Sequence, residues 1–136
     1  MSLKKTLLST LLIASLCVPV FAHAGDLIIV NNTDKDSTSV INKGYCSTTI
    51  MGKDGITKAR TTKIVKDLQL RMACMKNLDN CKADVYMTND CTGPIAATVT
   101  LSVKTGIKQV GIAKDVPYKV TWTAFSIRVE QLASKK

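Results

Sequence analysis

Apolar residues recur at every second position over long stretches of this chain, and that period suits β-strands rather than helices. Ile95, Ala97, Val99, Leu101 and Val103 alternate with Ala96, Thr98, Thr100 and Ser102. Successive side chains of a strand point to opposite faces, so this segment reads as half buried with a threonine-rich outer side. Val116, Tyr118, Val120 and Trp122 alternate in the same way, as do Phe125, Ile127 and Val129, and Leu68, Leu70, Met72 and Cys74. Weaker strands are expected over Leu27 to Asn31, Ser37 to Asn42, Cys46 to Met51, Lys82 to Thr88 and Ile107 to Ala113. Turn sequences such as Asn42-Lys43-Gly44, Asp54-Gly55, Asn89-Asp90 and Thr105-Gly106 separate many of them. No window from Gly25 onward sustains a helical period, and only Gly55 to Asp67 is ambiguous between a loop and a helical turn. The expected fold is all-β: an antiparallel β-sandwich, immunoglobulin-like or a small barrel, of about eight strands.

The first 24 residues obey a different rule. Lys4 and Lys5 precede an apolar run from Leu7 to Val20, and Ala22-His23-Ala24 offers the small residues that a signal peptidase reads. The run is shorter than the roughly 20 residues needed to span a bilayer. We therefore expect residues 1–24 to be a cleaved signal peptide and residues 25–136 to form one domain, secreted or periplasmic, with no transmembrane segment. A leucine before Cys17 argues against lipidation there. Cleavage would remove the only histidine, His23, and would leave Cys46, Cys74, Cys81 and Cys91.

An even set of cysteines in an exported chain reads as two disulfides rather than a zinc site, and no C-x-x-C pair is present. If Ala83 to Thr88 is extended, Cys81 and Cys91 are up to about 33 Å apart, whereas bridged Cα atoms lie within about 7 Å. In a meander, a strand ending at Cys74 and one starting after Cys81 meet at the same end of the sheet. The expected pairs are Cys74 with Cys81 and Cys46 with Cys91.

Without the leader, 17 basic residues face 10 acidic ones and the net charge is +7. Such a domain is drawn to anionic surfaces, although lysines also keep strand edges soluble. Lys82, Lys104, Lys108, Lys114 and Lys119 would form a basic binding patch if the sheets brought them together. Catalysis has little to work with: Glu130 is the one glutamate, and no nucleophile elbow, H-E-x-x-H motif or phosphate loop is present. We expect no catalytic residues, no metal site and no cofactor. Asp34-x-Asp36 resembles the start of a calcium loop, but Ser39 and Tyr45 stand where glycine and glutamate are required. Asn31-Asn32-Thr33 fits a glycosylation acceptor. Tyr118 and Trp122 share a face with Val116 and Val120, the pattern of a core rather than a stacking platform.

The stretches from Asn31 to Asp34 and Ser39 to Asn42, Gly55 to Ala59, Cys81 to Cys91 and Thr105 to Lys108 resemble a group of small exported proteins of Gram-negative bacteria that carry four cysteines. This resemblance implies export and retained cysteines, and no activity. The expected function is a non-catalytic binding or interaction module for a macromolecule or an anionic envelope or host surface; nucleic acid is not the expected partner. The alternative is a pilus-like assembly subunit, whose final strand Phe125 to Gln131 alternates suitably, though the tail lacks the penultimate tyrosine of such subunits. A secreted hydrolase stands third.

Overall fold

Alternation produces strands where a second sheet can cover the apolar face. The computed structural model describes residues 24–133. Most of the expected leader, with Cys17 and His23, lies outside the described residues. Eight strands form two four-stranded sheets: β1 (Leu27–Asn32), β2 (Thr38–Ile41), β3 (Thr61–Val65), β4 (Cys81–Tyr86), β5 (Ile95–Ser102), β6 (Gly106–Ile112), β7 (Tyr118–Thr123) and β8 (Ser126–Gln131). One sheet has the order β3-β1-β8-β7 and the other β2-β4-β5-β6. The all-β sandwich is as expected, except that β1 and β8 run parallel. The other pairings are antiparallel.

Residues at alternate positions meet between the sheets. Leu27, Val65, Cys81, Val99, Leu101, Ile107 and Ile127 form the buried centre, with Leu70 and Cys74 closing one end. A mainly apolar void of about 120 Å³ remains among them. Trp122 lies opposite Ile127, so the register directs it toward the core. Because β7 is an edge strand, its indole is nonetheless 43% exposed. The expectation of a core tryptophan is thus corrected to a residue on the rim.

Two expected strands are helices. Residues 68–73 belong to a helix, α2 (Asp67–Ala73) with Cys74 as its C-cap, and residues 47–51 to a shorter one, α1 (Ser47–Met51) with Cys46 as its N-cap, followed by a 3₁₀ turn (Gly52–Gly55). In α2 the sequence Asp-Leu-Gln-Leu-Arg-Met-Ala has no β-branched residue, and most of its members are good helix formers. That propensity overrides the apparent alternation. The Asp26 carboxylate accepts the first helical N–H of α2, from Asp67 (2.7 Å), and the Gln69 side chain accepts the Lys66 N–H (3.1 Å). α1 has no such propensity and depends on tertiary anchoring. The Ser47 hydroxyl accepts the Ser39 N–H and donates to the Gly55 carbonyl. A further strand, β3, comes from the ambiguous segment, where Thr61-Thr62-Lys63-Ile64-Val65 is largely β-branched.

A basic groove as the candidate functional site

The groove begins as a ladder across one sheet. Lys82 on β4 lies opposite Thr100 on β5, and Thr100 lies opposite Gln109 on β6. Their neighbours Cys81 and Leu101 are buried in the core and Val110 packs against it, so the pleat turns Lys82, Thr100 and Gln109 to the outer face. A β-bulge interrupts the ladder after Thr100, because Leu101 is opposite Ile107 and Lys108 is the extra residue. Its ammonium donates to the Asn80 side-chain oxygen at 2.8 Å.

Two loops raise the walls. After β2, Asn42 and Lys43 both take left-handed backbone conformations, with φ of 50° and 56°. The Asn42 N–H donates to the Lys82 carbonyl (2.7 Å) and its side-chain oxygen accepts the Lys82 N–H (3.0 Å), which ties the turn to β4. This leaves the Asn42 Nδ2 donor buried and without a hydrogen-bond partner among the described residues. On the other side the loop from Met75 to Asn80 is closed at its base by the Cys74–Cys81 disulfide. Within it the Asn80 N–H donates to the Asn77 side chain, and the Leu78 carbonyl accepts the Val103 N–H. The resulting open groove, of about 680 Å³, is walled by Lys43, Lys76 and Lys82 with the amides of Asn42, Asn77 and Asn80, and Thr100 and Gln109 floor it.

Among the described residues no carboxylate lines this groove. Among the described residues Lys43, Lys76, Lys82 and Lys108 form no ion pair. Asp84, two residues along the same face of β4, accepts from the Thr98 hydroxyl instead. The groove is therefore a concentration of donors and unneutralised positive charge, suited to anionic or oxygen-rich ligands.

Of the five lysines expected to cluster, Lys82 lines the groove and Lys108 bonds to Asn80 in its wall. Lys104 is exposed in the β5–β6 turn at the same end of the sheet. Lys114 belongs to the β6–β7 loop, next to Ala113, whose N–H bonds Ala96 at the opposite end. Lys119 is opposite Glu130 on the other sheet, beside a separate depression that includes Asp34 and Arg60. Sequence reasoning missed Lys43, Lys76 and the asparagines. Their signal was present in the two Asn-Lys turns, Asn42-Lys43 and Lys76-Asn77, but only the loop geometry makes them neighbours.

The cysteines pair as Cys46–Cys91 and Cys74–Cys81, with Cα separations of 6.0 and 5.4 Å. These are the pairs the strand geometry favoured, although Cys74 ends a helix and not a strand. The Asp36 carboxylate accepts the Ala59 N–H and pairs with Lys58, and no group of three or more potential ligands occurs among the described residues. Asn31 is buried, and its amide donates to the Lys35 and Thr57 carbonyls. That overturns its reading as a glycan acceptor in the folded chain. Burial and the nearby Asp34 carboxylate raise the Tyr118 phenol above its ordinary value of 10.0.

A family model described as type II secretion system substrate NttC matches residues 2–134. The crystal structure of NttC from Legionella pneumophila is similar, with a TM-score of 0.63 and 21% identity over 80% of this chain and 99% of that one. At this identity the likeness shows a shared fold. No curated protein matches the chain.

Proposed function

The chain belongs to the NttC family of type II secretion system substrates, and on that premise we propose that it is a non-catalytic recognition module whose groove binds an anionic surface. Family membership makes it a secreted or periplasmic protein, in the compartments where disulfides persist. The observation that carries the reading is the groove itself, with Lys43, Lys76 and Lys82 around a floor of amide and hydroxyl groups and no carboxylate in its lining. Opposed charges raise association rates and local ligand concentration, and the interaction weakens as salt screens it. The same lining has no thiol, imidazole or carboxylate to move a proton, which favours binding over chemistry at this site. Strand β8 is paired on both sides, by β1 and β7, and is not free to complete a neighbour's sheet in the manner of a pilus subunit.

A salt titration tests the reading with two probes, an immobilised acidic polysaccharide and vesicles containing phosphatidylglycerol. The protein should be retained by at least one of them at low salt and released progressively toward and beyond about 0.15 M, as the Debye length shrinks to about 8 Å. No retention on either probe at low salt would overturn it.

A further inference from the structure

Helix α2 has two apolar faces, and the sandwich uses only one. Leu70 and Cys74, four residues apart, are 5% and 1% exposed and pack into the core. Leu68, Met72 and Met75 follow the same helical spacing on the outer side and are 68%, 57% and 69% exposed. Leu78 continues the strip into the loop at 39% exposure. Single exposed apolar residues need no explanation, whereas a row of four on one short segment does.

The strip is held in place. The Cys74–Cys81 disulfide fixes the base of the segment, and the bond from the Val103 N–H to the Leu78 carbonyl holds its tip. Cations flank it: Lys66 and Arg71 on the helix, and Lys76 between Met75 and the groove. Arg71 is paired with Asp67 and Lys66 with Asp26, while Lys76 and the adjoining groove lysines have no ion-pair partner among the described residues. An apolar ridge beside unneutralised lysines matches the boundary of an anionic bilayer, where acyl chains and phosphates lie a few ångströms apart. A second copy fits less well, because apposed ridges would bring Lys76 and the groove lysines of both molecules together.

We propose that the α2–β4 segment is a membrane-docking ridge. Leu68, Met72, Met75 and Leu78 enter the headgroup and acyl boundary of an anionic bilayer, and Lys43, Lys76 and Lys82 contact the lipid phosphates. This rests on the anionic-surface reading and adds to it a lipid as the surface and an apolar contribution that salt does not screen.

The test compares the wild-type protein with two triple variants, L68S/M72S/M75S and K43Q/K76Q/K82Q, each checked for its two disulfides and its far-ultraviolet circular dichroism. Cosedimentation uses vesicles of phosphatidylcholine with and without phosphatidylglycerol, and a bead-bound acidic polysaccharide serves as the second probe. The wild type should bind the anionic vesicles and not the neutral ones. The serine variant should lose at least about tenfold in vesicle affinity while retaining the polysaccharide, and the glutamine variant should lose both. Undiminished vesicle binding by the serine variant, or wild-type binding to polysaccharide alone, overturns the ridge and leaves the anionic-surface reading standing. Binding to neither probe overturns both. A dimer in solution that the serine substitutions dissolve, without wild-type vesicle binding, assigns the ridge to a second copy and also overturns the proposal.

Discussion

Gly106 occupies a position that no other residue fills without cost. Its φ is +98°, and a β-carbon there would overlap the Ala124 carbonyl, the group that accepts the Ile107 N–H and links the two sheets. Gly52 also has a positive φ, +62°, but open space around it. Alanine at Gly52 should therefore cost about 1–2 kcal/mol from backbone conformation alone. At Gly106 the same change should cost at least about 1 kcal/mol more, because the contact between sheets must also shift. Urea unfolding of both variants measures the difference, and equal costs would contradict the steric account. Tyr118 supplies a pH-dependent counterpart. Its phenol is raised by burial and by Asp34, so the unfolded chain loses that proton first. Above pH 10.0 the native state then holds more protons than the unfolded one. The stability that neutral Tyr118 contributes is complete below that value and declines as pH rises through the higher folded one. Y118F should show a shallower decline than the wild type in unfolding midpoints taken on either side of pH 10.0, and the same slope would rule out this assignment.

At the scale of elements, α2 separates two readings of one sequence. In a strand, Leu68 and Leu70 would share a face and respond alike to truncation. In the helix they oppose one another, with Leu70 buried and Leu68 exposed. L70A should cost about 2–5 kcal/mol, and L68A should stay within about 0.5 kcal/mol of the wild type; similar losses would return the segment to a strand. What could be read from the sequence follows the same physics. β5 and β8 were legible because their alternation spans many residues and one face is buried. α2 was not, since three apolar residues at alternate positions fit a strand as well as two turns of a helix with both faces apolar. α1 was hidden because its conformation depends on the Ser47 side chain and its partners Ser39 and Gly55, which are eight residues away. The groove was half legible: period two placed Lys82 on an outer face, but the bulge at Thr100 that makes Lys108 the extra residue leaves no local signal. The two disulfides also differ as elements. Cys74 and Cys81 are buried, whereas Cys46 and Cys91 are partly exposed. Limiting reductant applied to the folded protein should open Cys46–Cys91 first, as access governs thiol exchange, and alkylation followed by peptide mapping would identify the bridge.

Across the whole molecule the positive charge is unevenly distributed. The end that carries the groove also holds Lys66, Arg71 and Lys104, with acid groups at Asp26, Asp67 and Asp79 and with Asp84 farther along β4. Toward the other end Asp34, Asp36, Asp54, Asp90 and Asp115 are interspersed with Lys35, Lys53, Lys58, Arg60 and Lys114. Net charge alone gives the protein a general affinity for anions, whereas a charged end gives it an orientation, and equal numbers of substitutions at the two ends separate these effects. K43Q/K76Q/K82Q and K35Q/K53Q/K114Q remove the same three charges. If the groove orients binding, the first variant should release from acidic polysaccharide at markedly lower salt and show a smaller dependence of affinity on salt, reduced by close to the three lost contacts. The second should shift release only slightly, through the weak, screened field of distant charges. Equal shifts from the two variants would mean that the chain is attracted as a uniformly basic particle, and the groove would lose its claim as the recognition site.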